Sequence, residues 1–378
     1  MRCCFLSQGS RSVEVLEGDT RRSGGAEAQV AHLAAAFAGL GHEVDLIYGN
    51  GQGGYAPRVI AGIRCIDAFP SWRRPTSLIG FWEGLRISNA DLIYARMPSD
   101  FLCVVGLFTR RTTRSKFVYA LSNDRTCNPW HSYPPSRGRW FHNLLYALWL
   151  PTVHLVAIQH EAQAQMVKPY IKGRLVLIPN LVRTVPDEPR WFEDATIDAI
   201  WVSQIRPQKQ LSIMLDIAEQ LPALQFVVVG GFAREPNRPE LERRMQSLRN
   251  LRFEGPLLFE DVIRLLMSSR VLVNTSSWEG FPNAMLEAWS VGVPVVSLQI
   301  DPGGVIGREG LGLVSGTPSQ MVRDITRLVE EPPLNREMGR KGQEYVRRAH
   351  SIGAVCRAFE QIAPGFNSQH EAAREEAA

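Results

Sequence analysis

Two glutamates eight positions apart are the residues of this sequence best suited to bind a hydroxylated ligand. Glu279 and Glu287 lie in the stretch 271–297, VLVNTSSWEGFPNAMLEAWSVGVPVVS, which has the pattern of strand, loop, helix and strand. A carboxylate only accepts hydrogen bonds, so Glu287 suits the two hydroxyls of a ribose and Glu279 suits other sugar hydroxyls. The alternative is that both glutamates cap and solvate a surface helix.

The elements around the two glutamates predict a ligand site at the edge of a parallel sheet. Residues 271–274 and 293–296 are apolar, β-branched runs typical of buried parallel strands. The helix between them is expected to begin near Pro282 or Asn283, and Gly292 closes it. Its first N–H groups would face the carboxyl ends of the strands, where phosphate groups and other ligands bind.

The same stretch resembles the donor site of the retaining glycosyltransferases of family four. Their pattern is a glutamate, Gly-Phe-Pro, a second glutamate eight positions after the first, and then Gly-x-Pro-Val-Val. This resemblance implies the α/β GT-B fold, with two Rossmann-like, doubly wound domains facing a central cleft. It also implies that Glu279 orients the transferred sugar and that the donor contacts Gly280, Phe281, Pro282, Asn283, Ala284 and Glu287.

A basic segment after the predicted strand 199–202 resembles the part of the family that holds the donor pyrophosphate. Relatives usually have Gly-Arg-Leu-x-Pro-x-Lys-Gly there, and Lys209 matches the lysine. Gln204 stands where the arginine is expected, and we predict that Arg206 serves instead. Two cations would offset the pyrophosphate charge and stabilise it as a leaving group.

Two glycine-containing segments complete the donor site that the resemblance implies. Gly24 and Gly25 precede a helical pattern over 27–40, and paired glycines let the backbone approach the donor. Residues 252–257 resemble the family segment whose backbone meets the nucleobase, which assigns Gly255, Pro256 and Leu257. The glycine-rich segment 301–312 is predicted to be a loop, either closing over the donor or merely connecting two elements.

The acceptor half departs from the family pattern at one informative place. In many relatives a histidine that contacts the transferred sugar falls just after the strand predicted here at 116–121. This chain has Asn123 and Asp124 instead. We therefore include both in the catalytic set, with Asp124 contacting the sugar or the acceptor.

Length and local composition predict two domains and a returning C-terminal helix. The 378 residues are enough for two cores. We predict an acceptor-side domain over 1–185, a donor-binding domain over 186–350 and, over 351–378, a helix that crosses back to the first domain followed by a frayed tail. Residues 7–23 are predicted to form one long polar loop. Gly49, Gly51 and Gly54 satisfy a dinucleotide fingerprint but follow the second strand and open no helix, so a plain glycine loop is favoured.

Composition predicts a cytoplasmic protein with reduced, buried thiols. The six cysteines have neither disulfide-framework nor metal-ligand spacing, and no apolar run reaches the roughly 20 residues that span a membrane. The start of the sequence lacks the apolar core of a signal peptide.

Charge is concentrated in the first half of the chain. Residues 1–185 carry a net charge of +9, which leaves −5 for the remainder. The segment 108–142 combines seven basic residues with aromatic ones. These residues are Arg110, Arg111, Arg114, Lys116, Arg125, Arg137, Arg139, Trp130, Tyr133, Trp140 and Phe141. Such a pattern fits an anionic membrane surface or a solvated face, and we disfavour nucleic acid because no nucleic-acid motif accompanies it.

Together these features predict transfer of a sugar from a nucleotide-diphosphate sugar to a saccharide or lipid-linked saccharide, with retention. The setting would be polysaccharide or glycolipid biosynthesis in the cytoplasm, with a peripheral membrane location as an alternative. No Asp-x-Asp metal motif occurs, so no metal or other cofactor is expected. Two alternatives remain, a non-catalytic sugar-nucleotide-binding or membrane-surface scaffold and a nucleotide-sugar epimerase of the same fold.

Overall fold

The protein, described here from a computed structural model, divides into two compact units. The first unit contains residues 1–19, 23–181 and those from 352 onwards, and the second contains residues 20–22 and 182–351. The structure describes residues 1–49, 57–68, 76–96, 102–111, 115–131, 139–183 and 192–366. The predicted domain boundary at 185–186 and the last two glycines of the fingerprint, Gly51 and Gly54, lie outside the described residues.

Within its described residues, the first unit has one sheet of eight strands. The strands are β1 Arg2–Leu6, β2 Glu43–Tyr48, β3 Arg58–Ile60, β4 Ile63–Asp67, β5 Leu92–Arg96, β6 Lys116–Ala120, β7 Leu155–Ile158 and β8 Arg174–Leu177. Their order is β3-β4-β2-β1-β5-β6-β7-β8, and only β3 and β4 pair antiparallel. The carboxyl ends of β5, β6, β7 and β8 therefore meet at one edge of the sheet.

Helices cover both faces of this sheet. They are α1 Arg11–Leu16, α2 Gly25–Gly39, α3 Thr76–Ser88, α4 Leu102–Arg111, α5 Arg139–Trp149 and α6 Glu161–Val167. In β1, Cys3 and Phe5 join the hydrophobic core on one face, whereas Cys4 and Leu6 join the core on the other. Burial on both faces explains why this strand is a continuous apolar run.

The prediction of one long loop over 7–23 is wrong, because α1 lies within it. Val13 and Val15 of this helix are buried, and the Ser12 hydroxyl donates to the carbonyl of Glu27 in α2 at 3.0 Å. The helix has only six residues, which is too few for a helical period to appear in the sequence.

The second unit, over its described residues, has one parallel sheet of six strands in the order β11-β10-β9-β12-β13-β14. The strands are β9 Ile197–Val202, β10 Phe226–Val229, β11 Leu251–Gly255, β12 Ser269–Asn274, β13 Val295–Ser297 and β14 Gly312–Val314. The helices are α7 Leu211–Gln220, α8 Arg238–Ser247, α9 Phe259–Met267, α10 Asn283–Ser290, α11 Val305–Glu309, α12 Pro318–Glu330 and α13 Pro332–Ala349.

The prediction of a loop over 301–312 is wrong as well. A 3-10 turn at Pro302–Gly304 leads directly into the short helix α11. The carboxylate of Asp301 accepts from the backbone N–H groups of Ile306 and Gly307, at 2.8 and 3.3 Å. These two bonds satisfy donors at the start of the helix, where the chain offers no carbonyl partner.

The last helix, α14 Ile352–Glu360, belongs to the first unit although it follows the second in the chain. Phe359 and Phe366 are almost fully buried there. Each ring packs edge-on against Phe37 of α2, with 4.8 Å between ring centroids. The core on this face of the first sheet therefore includes the C-terminal segment.

All six cysteines lie within the described residues, and all are free. Five are buried and Cys103 is partly exposed, as expected for reduced core thiols. Burial raises the pKa of the Cys3 thiol to about 12 and that of Cys65 to about 11. Over the described part of the chain, no helix combines the length and the apolar character that crossing a membrane requires.

Candidate functional site

An ion pair between Lys209 and Glu279 lies at the centre of the candidate site in the second unit. The Lys209 ammonium donates to Oε1 of Glu279, and only 17% and 15% of the two side chains is exposed. Lys209 ends the 3-10 turn that follows β9, and Glu279 lies between β12 and α10. Because β9 and β12 are neighbours in the sheet, two residues 70 positions apart come into contact.

Hydrogen bonds fix the two loops that carry this pair. The Thr275 hydroxyl donates to the Lys209 carbonyl at 2.7 Å and accepts from the indole N–H of Trp201 at 3.0 Å. The backbone N–H of Ser277 donates to the carbonyl of Gln208 at 2.8 Å. Thr275 and Trp201 are both buried, so the loop after β9 and the loop after β12 are held together below the ion pair.

A close backbone approach places the loop after β10 against the loop after β9. Gly230 has a φ of +138°, and a Cβ atom on it would lie 1.7 Å from the carbonyl oxygen of Ser203. Its N–H donates to the carbonyl of Gly255 at 2.8 Å. Only glycine fits at position 230, because any side chain would overlap that carbonyl.

The predicted nucleobase segment lies at the same edge. Gly255 ends β11 with a left-handed φ of +67°, and the side chain of Pro256 lies beside Gly231. Leu257 packs as a partly buried residue against a core cluster of the unit. The carboxyl ends of β11, β9 and β12 thus bring the predicted donor residues of three separate segments to one edge, and the loop after β10 lies among them.

The helix α10 begins at Asn283, where the sequence predicted it, with Pro282 as the preceding residue. Proline has no capping side chain, and no side-chain cap hydrogen bond is made at this end. Phe281 is buried and packs edge-on against His350, with 4.8 Å between ring centroids. Gly280 and Ala284 flank this anchored turn, so its backbone N–H groups have a fixed direction.

Glu287 is the most perturbed carboxyl group of the site. The residue lies in the middle of α10 and is partly exposed as a whole, but the packed groups around its carboxyl exclude water. This desolvation raises the pKa of Glu287 to about 7, against the opposing effect of Arg183. The Arg183 guanidinium also pairs with Glu260 at 3.1 Å and lies 4.2 Å above the Phe259 ring. No local pattern in the sequence marks Arg183, since it comes near α10 only through the fold.

The structure brings Arg206 and Gln204 into contact. The Arg206 guanidinium donates to the side-chain oxygen of Gln204, and Arg206 directly precedes the turn that carries Lys209. Gln210, which follows that turn, has a left-handed φ of +49° and is the N-cap of α7. The two predicted pyrophosphate cations therefore flank one short turn at the end of β9.

The remaining predicted donor residues, Gly24 and Gly25, belong to the first unit. Gly24 is the residue before α2, and Gly25 is the first residue of the helix. A Cβ on Gly24 would come within 2.5 Å of the Glu27 carboxylate. Because this contact is with the far end of a flexible side chain, it does not by itself require glycine, and the donor role of Gly24 and Gly25 stays a prediction.

The predicted catalytic residues Asn123 and Asp124 have different surroundings. The Asn123 side chain accepts from the Thr126 N–H at 3.2 Å and caps the 3-10 turn Asp124–Cys127. One oxygen of Asp124 accepts from His160 Nε2 at 3.1 Å and from Gln163 Nε2 at 3.0 Å. Asp124 is 37% exposed, whereas His160 is buried.

The contact with Asp124 brings His160 next to the position where many family members have a histidine. His160 follows β7, the strand next to β6 in the sheet, so it reaches Asp124 from 36 positions away. A carboxylate can only accept, so Nε2 carries the proton in this bond and Nδ1 is an acceptor when the ring is neutral. Spacing alone could not reveal the pair, because it requires the order of the strands.

Part of the basic and aromatic segment is described. Trp130, Trp140 and Phe141 are 53%, 67% and 49% exposed, and Arg111 and Arg125 are also exposed. Lys116 has a structural contact, because its ammonium donates to the carbonyl of Ile362 at 2.9 Å. The side chains of Arg110, Arg114, Tyr133, Arg137 and Arg139 lie outside the described residues. In the part that the structure describes, no group of three or more histidine, cysteine or acidic residues is arranged to hold a metal ion.

Comparison with protein families and solved structures gives consistent matches. The family model described as "Glycosyl transferases group 1" matches residues 196–331, and that of "Glycosyltransferase Family 4" matches residues 23–185. Sucrose-phosphate synthase from Thermosynechococcus elongatus superposes with a TM-score of 0.73 at 18% identity, over 95% of this chain and 97% of that one. HepE from Anabaena, solved with UDP-glucose, superposes with a TM-score of 0.69 at 18% identity, over 96% and 99%. These likenesses and the two predominantly parallel sheets confirm the predicted GT-B fold with two Rossmann-like domains.

Two curated relatives have higher sequence identity but match this chain over only part of their length. One subunit of the human phosphatidylinositol N-acetylglucosaminyltransferase is 24% identical over 73% of this chain and 59% of its own length. Glycosyltransferase 1 domain-containing protein 1 of Xenopus tropicalis is 30% identical over 35% of this chain and 39% of its own length. The chain thus spans less than two thirds of the length of either relative.

Proposed function

The chain belongs to the group 1, family-four type of glycosyltransferases, and we propose that it moves a sugar from a nucleotide-diphosphate donor to an acceptor hydroxyl with retention. The observation that carries this proposal is the Lys209–Glu279 pair, with Glu287 on the neighbouring helix of the same sheet edge. Cations for a diphosphate and carboxylates for hydroxyls are the groups that such a donor requires.

Each donor residue has a role that its surroundings support. Lys209 and Arg206 neutralise the diphosphate, together with the N-terminal N–H groups of α10. Glu287 accepts from the ribose hydroxyls, and Glu279 accepts from the transferred sugar. The bond from the anomeric carbon to the diphosphate oxygen breaks, and the nucleoside diphosphate leaves with the electron pair. The acceptor oxygen bonds to that carbon, and its proton passes to a phosphate oxygen of the leaving diphosphate. We also propose that these cations do the work of a divalent ion, so that EDTA leaves the rate unchanged.

The ion pair explains how the free site stays stable. Two largely buried charges are costly unless they neutralise each other, and Lys209 and Glu279 do so. A bound diphosphate would draw the Lys209 ammonium to itself. Glu279 would then be free to accept from the donor sugar, so donor binding and sugar orientation would be coupled.

We propose a saccharide or lipid-linked saccharide as the acceptor, in glycan synthesis at the cytoplasmic face of a membrane. Exposed Trp140 and Phe141 on α5 and the net positive charge of the first half support a membrane surface. Flotation with phosphatidylglycerol vesicles tests this part, since wild type should float and a Trp140→Ser, Phe141→Ser variant should not. Equal flotation with neutral and anionic vesicles would contradict it.

The donor site is tested by thermal shift and calorimetry with UDP, GDP and ADP and their sugars. One nucleotide should raise the melting temperature of wild type, and the rise should be lost in Lys209→Ala. Lys341→Ala is the matched control, because Lys341 forms an ion pair with Glu337 on the exposed surface of α13. It should respond like wild type.

The same nucleotide sugars distinguish a transferase from an epimerase and from a non-catalytic scaffold. Release of nucleotide with transfer of sugar to an acceptor identifies a transferase, whereas a changed sugar without acceptor identifies an epimerase. Binding of nucleotide without any turnover, in wild type and in Glu279→Gln alike, would favour the scaffold.

A further inference from the structure

A buried arginine at the carboxyl edge of the first sheet has no carboxylate partner among the residues that the structure describes. Arg96 is the last residue of β5 and is 7% exposed. Its Nη2 donates to Oδ1 of Asn180 at 2.8 Å, whereas its Nε is buried without a hydrogen-bond partner. Across the described parts of the chain, no acidic side chain lies within ion-pair distance of this guanidinium.

Among the described residues, the side chains that bond Arg96 are neutral, namely Tyr94 of the same strand and Asn180 at a neighbouring strand end. Asn180, just after β8, accepts at its single side-chain oxygen from both Arg96 and Gln159 Nε2, the latter at 3.1 Å. The side-chain oxygen of Gln163 accepts from the backbone N–H of Gln159 at 2.9 Å. Asn180, Gln159 and Gln163 are all buried. The network therefore orients the guanidinium without neutralising it.

The acidic residue at this edge, Asp124, already has hydrogen-bond partners. Asp124 holds His160 and Gln163 through one oxygen and turns partly to solvent, so it marks the solvent side of the network. Burying an uncompensated charge is costly. Such a charge at the ligand edge of an α/β sheet therefore points to an anionic ligand.

We propose that Arg96 forms the base of an oxyanion subsite that binds a phosphate or carboxylate group of the acceptor, while Asp124 faces its hydroxyls. The acceptor class is thus an anionic one, such as a phosphorylated or uronic-acid-bearing saccharide. The assignment of the anion to the acceptor rests on the proposed function. The subsite itself rests only on the geometry of the first unit.

Inorganic phosphate is the first probe, used on the full chain carrying Lys209→Ala so that the donor site contributes less. Phosphate at millimolar concentration should raise the melting temperature of this protein, and sulfate should act similarly. The rise should be absent when Arg96→Gln is added. An equal rise in the presence and absence of Arg96, or no rise at all, would overturn the proposal.

A second variant guards against an effect of misfolding. Asn180→Asp places a carboxylate where Nη2 of Arg96 already donates, so it should stabilise the free protein and abolish the phosphate response. A purely structural role for Arg96 predicts unchanged anion binding in this variant, which would contradict the proposal. Glucuronate and a sugar phosphate then distinguish the two anions, the better ligand giving the larger rise in melting temperature.

The test of the anion subsite can be separated from the test of the donor site. UDP and the other nucleotides should bind to the Arg96→Gln and Asn180→Asp variants as they do to wild type. If no nucleotide binds but phosphate still acts through Arg96, the proposed function fails and the anion subsite stands. If nucleotides bind and phosphate has no effect, the anion subsite fails and the proposed function stands.

Discussion

At the carboxyl edges of the two sheets, where ligands are expected to bind, a positively charged side chain has opposite surroundings. In the second unit, the buried cation Lys209 is paired with Glu279, and two loops joined through Thr275 hold that pair. In the first unit, the buried cation Arg96 donates to the neutral amide of Asn180. A paired site is stable when empty and must exchange partners when a ligand arrives. An unpaired site gains a partner on binding, so binding there should stabilise the protein more directly.

The largest expected effect comes from breaking the paired edge. Lys209→Ala and Glu279→Gln should each lower kcat/KM for sugar transfer by about 100- to 1,000-fold, as loss of a preorganised electrostatic group does. Initial rates with the nucleotide sugar identified by thermal shift provide the measurement. Lys341→Ala and Glu337→Gln, which break the exposed ion pair of α13, should retain wild-type rates. Similar losses in both pairs of variants would refute a special role for the buried pair.

The next largest effect is expected at Gly230, whose backbone packs against the loop that carries Lys209. Gly230→Ala places a Cβ on the Ser203 carbonyl, so the unfolding free energy should fall by about 3 kcal/mol or the loop after β9 must move. Chemical denaturation measures this change. Gly316→Ala is the control, because Gly316 also has a positive φ but no heavy atom within 4 Å of the added Cβ. It should lose about 1 kcal/mol at most, and an equal loss at both sites would show that contact with Ser203 is unimportant.

The pH dependence of nucleotide binding sharpens the comparison further. Burial raises the pKa of Glu287 to about 7 in the free protein, and ribose hydroxyls would favour the ionised carboxylate. Protons and nucleotide therefore compete, so the affinity should fall by up to about tenfold for each pH unit below 7 and level off above it. Calorimetry between pH 5.5 and 8.5 measures this slope.

The Glu287→Gln variant provides the control for that slope. It should bind nucleotide more weakly at pH 8 and lose the dependence below pH 7. The wild-type carboxyl has a pKa above its unfolded value of 4.5, so its contribution to stability declines as pH rises from about 4.5 to 7. The glutamine variant should not show that decline, and an unchanged pH profile would exclude Glu287 as the titrating group.

The smallest effect is expected at Asn123 of the first unit. Its side chain caps the turn that carries Asp124, so Asn123→Ala should reduce the unfolding free energy by about 1 kcal/mol. Asn123→Ser, which can still cap the turn, should restore most of it. Denaturation curves of the three proteins test this, and a large loss of kcat in the serine variant would instead support direct contact with substrate.

The sequence predicted the elements of the donor edge because their signals are local. Glu279, Pro282 and Glu287 lie within nine residues, and the loop, the start of α10 and its closing glycine follow from residue types. The contact of Lys209 with Glu279 could not be predicted in this way, since it depends on β9 and β12 being neighbours. The raised pKa of Glu287 likewise depends on side chains that pack around α10.

The acceptor edge was less predictable for the same reason. The meeting of Asp124 with His160, and of Arg96 with Asn180, requires the order of four strands, which no local pattern contains. The helix α1 was missed because fewer than two turns carry no period. The donor roles of Gly24, Gly25, Gly255, Pro256 and Leu257 remain predictions that mutagenesis must test.

The return of α14 to the first unit has a consequence for synthesis on the ribosome. The ring of Phe37 emerges early, but its partners Phe359 and Phe366 emerge only after the whole second unit has been translated. Until then the nascent first unit exposes an apolar surface on α2 that its own chain has not yet covered. We therefore expect the inserted second unit to complete its core first, and the first unit to depend on chaperones in the interval.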